Sequence, residues 1–170
     1  NCFHFQTNHG PEYPLGFFAG GLTSGLKSSG KPDLALLWSE RECQTFGAFT
    51  QNRVYAAPVQ LCRERLDKEG VFRGVVVNSG NANACTGEQG VLDACEMASL
   101  AERSTGSPEG SFLVCSTGVI GRHLRMDLLR RSIPKLGEQL RNHEATESSF
   151  HEAIMTTDTF PKGAGATCEI

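Results

Sequence analysis

The stretch Cys115–Gly121, C-S-T-G-V-I-G, decides how the rest of the chain is read. The apolar run Phe112–Val114 before it has the composition of a buried strand, and Met126–Leu140 after it carries apolar residues at helical spacing. A small, glycine-broken connection between a strand and a helix aims successive backbone N–H groups at one point. Such a point holds an anion or a developing oxyanion. Taken alone, the stretch is an ordinary strand-to-helix turn. The strand–turn–helix order nevertheless sets the class as α/β.

Outward from that turn, Phe72–Asn78, F-R-G-V-V-V-N, is the strongest predicted strand, because β-branched residues repeat three times in it. It runs into Ser79–Gly87, S-G-N-A-N-A-C-T-G, read as a sharply folded loop because Asn and Gly adopt left-handed backbone conformations most easily. Val91–Glu102 has apolar residues at 91, 94, 95, 98 and 101, which predicts a helix with one buried face, ended by Gly106-Ser107-Pro108. Downstream, Met126, Leu129, Ile133, Leu136 and Leu140 form a helical stripe, and Pro134 is expected to split it in two, with Ser132 capping the second half. Glu147–Met155 reads as a short helix, Thr156-Thr157-Asp158-Thr159 as its polar exit, and Ala166–Ile170 as the start of a strand.

Upstream, Asp33–Ser39 is a near-continuous apolar run expected to be a buried strand, and Phe17–Gly25 a strand broken by a glycine bulge. Lys27–Pro32 is a polar turn. Gly47–Thr50 and Ala57–Leu61 are read as two further strands around Asn52-Arg53, and Arg63–Lys68 as a charged short helix or turn. Residues 1–15 form an extended or poorly ordered lead-in, and residues 16–170 a single α/β domain.

Composition narrows the function. The chain is 39% hydrophobic and 21% charged, as expected of a soluble globular domain, and its net charge of -3 gives no electrostatic ground for a nucleic-acid or anionic-membrane partner. No apolar run approaches the roughly 20 residues that a membrane helix needs. The seven cysteines include no C-x-x-C and sit mostly in apolar contexts, which predicts free thiols in a reducing compartment. The five histidines are dispersed, so no metal site is expected.

Three polar loops, Asn78–Gly87, Ser116–Gly121 and Thr156–Asp158, could carry chemistry. None has the spacing of a phosphate loop, and no G-x-S-x-G elbow is present. They offer N–H groups, hydroxyls and amides, which stabilise an oxyanion but supply neither nucleophile nor base. From the residues alone, this is half of an acyl-transfer site. Asn78, Asn81 and Asn83 could equally build their loop or shape a site. Asp158 reads as a loop anchor, and Arg53 and Arg122 as solvated charges.

Five blocks then resemble the bifunctional ornithine acetyltransferase/N-acetylglutamate synthase (argJ-type, glutamate N-acetyltransferase) family. They are Ser29–Leu36, Gly47–Val59, Val76–Gly90, Ser116–Gly121 and Ala153–Lys162, in the family's order and at about its spacing. The resemblance implies a precursor that cuts itself before a threonine, which becomes the N-terminal nucleophile of a β chain. This chain would be the α chain. Its fold would be a layered αββα sandwich completed by the β chain, in an α2β2 heterotetramer. The implied activity is ping-pong transfer of acetyl from N-acetylornithine to glutamate in arginine biosynthesis, without metal or cofactor. Acetyl-CoA enters only as co-substrate if N-acetylglutamate is also made from scratch. Thr117 and Gly118 would form the oxyanion hole, and Thr156 would contact substrate. The implied location is the cytoplasm, or a mitochondrion or plastid in a eukaryote.

Two departures are visible. The chain stops at Ile170 before any cleavage segment, which suggests a fragment or one product of a cut precursor, and Lys162–Gly165, K-G-A-G, imitates the family's lysine motif by coincidence. Alternatives are a homologue acting on another acylated amino acid, a self-processing aminopeptidase or amidase, and a non-catalytic binding module.

Overall fold

A computed structural model describes residues 3–7, 10–68, 70–144 and 147–168. The element order is β1 (Phe3–Thr7), β2 (Phe17–Leu22), β3 (Leu34–Cys43), α1 (Ala57–Leu66), β4 (Phe72–Asn81), α2 (Gly87–Thr105), β5 (Phe112–Val119), α3 (Met126–Arg141), α4 (Glu147–Ile154) and β6 (Ala164–Cys168). The main sheet has the order β2-β3-β4-β5. β2, β3 and β4 pair antiparallel, while β4 and β5 run parallel and are joined by the crossover through α2.

The parallel pairing corrects the reading of the central stretch. β5 does not end at Val114. It continues to Val119 with Asn78 opposite Ser116, Ser79 opposite Thr117 and Gly80 opposite Gly118. The S-T-G segment is therefore the tail of a strand, and the connection to α3 begins only after it. For the same reason Ser79–Asn81 extend β4, so the folded loop is shorter than expected.

The two sheet faces differ. Leu34, Leu36, Val76, Phe112 and Val114 point to one side, where α1, α2 and α3 close the larger core. α3 stays one helix through Pro134, against the expected split. A mid-helix proline costs about 3 kcal/mol. Burying Met126, Leu129, Ile133, Leu136 and Leu140 on one face returns about 1.5–3 kcal/mol per side chain, so the continuous helix wins. On the other face α4 alone among the described helices packs, against β2, β3 and β4, with Phe150 and Ala153 over Ala19 and Ala35. Gly21 makes room for it: a Cβ there would lie 2.3 Å from the Ser149 carbonyl oxygen. β2 shows no glycine bulge. Its register with β3 is unbroken from Phe17 to Leu22.

Two expected strands are absent. Gly47–Thr50 has no regular structure, and Ala57–Leu61 is the first half of α1, with Pro58 in its opening turn. Arg63–Leu66 complete that helix. α1 covers the outer edge of β5. Cys62 Sγ lies 3.4 Å from the Val114 N–H nitrogen and 3.3 Å from its carbonyl oxygen. Arg65 donates to the Phe112 carbonyl, and Glu102 accepts from the Phe112 N–H at 3.2 Å. A 2.7 Å ion pair joins Arg65 to Glu102, both largely buried. The edge is thus closed to pairing with another chain along Phe112–Val114.

Burial pushes the Cys62 thiol up, against the smaller opposing effects of its bond to Val114 and of Arg65. Cys62 is therefore expected to resist iodoacetamide at about pH 8 in the native protein, while exposed Cys85 is labelled. Peptide mass spectrometry checks this, and equal labelling of both would contradict the packing of α1 on β5.

In the lead-in, Phe3–Thr7 pair antiparallel with Ala164–Cys168. Residues 1, 2, 8 and 9, and the last two of the expected strand Ala166–Ile170, lie outside the described residues.

Candidate functional site

The parallel tails of β4 and β5 end side by side, at the position where open α/β sheets place ligands. Gly80 and Gly118 face each other there with φ of 102° and 133°, in the range that favours glycine. A Cβ on Gly118 would lie 2.4 Å from the Gly80 carbonyl carbon and 2.6 Å from the Asn81 nitrogen. No other residue allows the two backbones to come this close. Beyond them, the Ala82 N–H donates to the Val119 carbonyl and the Gly121 N–H to the Ala84 carbonyl, each at 2.9 Å.

The direction of the β5 amides follows from its edge. Phe112 and Val114 turn their N–H and C=O groups away from β4, toward Glu102, Arg65 and Cys62. On the strand's two-residue period, Ser116 and Gly118 belong to the same outward set. α1 shields the start of this edge, so the Gly118 N–H is turned to the open side of the strand tail.

The three asparagines are buried, and each donates its side-chain amide to a backbone carbonyl. Asn78 Nδ2 donates to the Asn81 carbonyl at 2.8 Å, and Asn81 Nδ2 to the His123 carbonyl at 3.1 Å. Asn81 Oδ1 accepts from the Asn83 N–H at 2.9 Å, and Asn83 Nδ2 reaches the Gly90 carbonyl at 2.8 Å. Asn83 and Cys85 take φ of 47° and 57°, and for Asn83 this is the left-handed backbone that the composition of the loop predicts. These amides pin the β4 tail to the loop before α3 and to the first turn of α2.

A cavity of about 650 Å³ opens on these tails. Lys27, Gly80, Thr117, Gly118, Arg122 and Thr156 are among the residues that line it. Thr117, Gly118 and Thr156, the three residues singled out in the sequence, therefore share one cavity although α3 and α4 separate the first two from the third in the chain. Arg122 is exposed, as expected, but stands beside them. Arg53 lies in the irregular segment before α1 and does not line this cavity. Asp158 is ion-paired with Lys162, whose hydrogen bond and charge hold the carboxyl below its usual range. That pairing is exposed and stays within the loop.

Two residues escape a reading of the sequence. Lys27 belongs to what the sequence marks only as a polar turn, yet its ammonium donates to the Pro32 carbonyl at 2.8 Å and the Met155 carbonyl at 2.6 Å. Loss of hydration lowers its pKa, and the Asp33 charge opposes that shift. Asp33 is fully buried. Its carboxylate accepts from the N–H groups of Ser24 at 2.6 Å, Gly25 at 3.1 Å and Lys27 at 2.9 Å. The signal available was an acidic residue leading an otherwise apolar strand, where a carboxylate needs a reason to be buried.

Among the described residues no cluster of three His, Cys, Asp or Glu side chains could hold a metal ion. None of the described helices is long and apolar enough to cross a membrane.

A model of the ArgJ family matches residues 18–170. The arginine biosynthesis bifunctional protein ArgJ of Synechocystis sp. is 45% identical over 157 residues, which cover 92% of this chain and 38% of that protein. The chain thus spans well under half the length of that relative. Among solved structures, the ornithine acetyltransferase of Mycobacterium tuberculosis, complexed with ornithine, superposes with a TM-score of 0.88 at 35% identity, over 96% of this chain and 87% of that one. The arginine biosynthesis bifunctional protein argJ of Bacillus halodurans gives 0.82 at 30% identity, over 98% and 93%.

Proposed function

The chain belongs to the ArgJ family, and from that premise we propose that it is the α chain of a glutamate N-acetyltransferase. The observation that carries this reading is the meeting of Thr117, Gly118 and Thr156 in one cavity at the ends of β4 and β5. In the proposed reaction, the N-terminal threonine of a β chain attacks the acetyl carbonyl of N-acetylornithine. Its hydroxyl proton passes to a base, for which its own terminal amine is suited. The carbonyl oxygen gains negative charge, and the Gly118 N–H, with the Thr117 hydroxyl beside it, stabilises it there. Collapse of the intermediate breaks the C–N bond, and ornithine leaves with the proton on its nitrogen. The glutamate amine then attacks the acetyl-threonine ester, the ester C–O bond breaks, a proton from the amine returns to the threonine oxygen, and N-acetylglutamate departs. Thr156 contacts the amino-acid substrate from the opposite wall. The reaction needs no metal or cofactor, and acetyl-CoA serves only where N-acetylglutamate is made from scratch.

Two features support a partner chain. The solved relatives' chains are close to this one in length, although the full relative is much longer. The sheet face opposite the larger core is also only part-covered: α4 packs on β2, β3 and β4, and Cys115 and Thr117 on β5 remain exposed. A β chain from the same precursor would complete the sandwich there, in an α2β2 assembly. The cytoplasm, or a mitochondrion or plastid in a eukaryote, is the proposed location, in keeping with free thiols at Cys43, Cys62, Cys85 and Cys95.

The test is direct. The full-length protein is purified, the copurifying polypeptide is sequenced from its N-terminus, and labelled acetyl is followed from N-acetylornithine to glutamate. An N-terminal threonine and glutamate-dependent transfer are expected. Hydrolysis indifferent to glutamate, or no turnover, would overturn the assignment.

A further inference from the structure

Lys27 takes no part in the reaction as described, yet it spans the cavity. Its stem crosses the strand tails: a Cβ on Gly80 would lie 3.1 Å from Lys27 Cγ, and Gly80 is the register partner of Gly118. Its ammonium reaches the other wall, donating to the Met155 carbonyl at 2.6 Å, and a second bond to the Pro32 carbonyl at 2.8 Å fixes its approach. Its own N–H is held by Asp33. One side chain thus runs from the Gly80–Gly118 contact to the peptide that joins Met155 to Thr156. That peptide is rigid and planar, so anchoring its oxygen orients the Thr156 N–H and Cα as well. A charged donor makes the anchor stronger than a neutral one would.

We propose that Lys27 is a positioning residue that sets Thr156 at the correct distance and angle from the Thr117–Gly118 wall for an amino-acid substrate lying between them. The proposal rests on the acetyltransferase reading for the identity of that substrate. Lys27 acts through Met155 and Thr156, so its removal loosens substrate binding more than it slows the chemical step. It also predicts coupling: with the Thr156 side chain gone, there is less for Lys27 to position.

The experiment is a double-mutant cycle in the full-length protein with Lys27→Met, Thr156→Ala and both together, with Lys27→Arg as the conservative variant. Lys27→Met is expected to raise KM for N-acetylornithine about tenfold with kcat changed less than about threefold, and to do so less than about twofold in the Thr156→Ala background. Lys27→Arg should restore most of the affinity, since it keeps a cation within reach of both carbonyls. An equal effect of Lys27→Met in both backgrounds, or an unchanged KM, would overturn the proposal. If Lys27→Met shows no cooperative melt, the same cycle with Lys27→Arg decides, through whether its smaller KM effect vanishes in Thr156→Ala. Wild-type turnover is the separate control: its absence strikes the acetyltransferase reading alone, and the cycle is then read from ornithine binding by calorimetry.

Discussion

Gly118→Val is expected to lower kcat/KM for acetyl transfer by about 10²–10³, the loss associated with removing one oxyanion-hole donor. Two independent effects act in the same direction. The φ of 133° is poorly accessible to a β-branched residue, at a strain of about 1–3 kcal/mol. The new Cβ would also press on backbone atoms of Gly80 and Asn81, 2.4 Å and 2.6 Å away, which no side-chain rotation can relieve. The tails must part, and the bonds from Ala82 to Val119 and from Gly121 to Ala84 resist this. The Gly118 N–H then points elsewhere. Thr117→Ala, by contrast, leaves the Gly118 N–H in place, and an effect under about tenfold is expected. Steady-state kinetics on both variants, with a thermal melt to confirm folding, make the comparison. Gly118→Val within about threefold of wild type would remove these residues from the oxyanion hole.

The difference between the two variants also explains what could be seen in the sequence. β3, the body of β4 and the start of β5 are legible because buried strands need apolar side chains at nearly every position, and α2, α3 and α4 because one face of each is buried. Ser116-Thr117-Gly118 carries no such mark. Its strand character comes from pairing with Asn78, Ser79 and Gly80 on β4, which lie beyond the whole of α2 in the chain, and nothing local records that pairing. α1 is hidden for a related reason: Ala57–Leu61 is too short for its period to show, and its burial depends on the β5 edge it covers. The pairing of Phe3–Thr7 with Ala164–Cys168 joins opposite ends of the chain. At the site, the family resemblance supplies Thr117, Gly118 and Thr156. Lys27 and Asp33 stay hidden because both act on backbone groups, which leave no residue-type signature at the position acted upon.

Asp33→Ala should have the largest effect on stability, about 3 kcal/mol, from three charge-assisted bonds to backbone N–H groups at about 1.5–3 kcal/mol each. The discount from the full sum reflects water: Gly25 is exposed, so the freed N–H groups of the 24–27 turn regain part of their hydration. Asp33→Asn is the informative companion. Its amide matches the carboxylate in size but offers one acceptor oxygen, while Ser24 bonds Oδ1 and Gly25 and Lys27 bond Oδ2. Whichever way the amide turns, its NH₂ faces at least one N–H donor, so Asn recovers less than half of the loss. The consequence reaches the cavity, because the same turn carries Leu26 and Lys27 into its lining and Lys27 onward to Met155. Urea unfolding of the full-length protein gives the stability change, and KM for N-acetylornithine should rise in parallel. A loss below about 1 kcal/mol, on the scale of one ordinary hydrogen bond, would mean that the 24–27 turn holds its shape without Asp33.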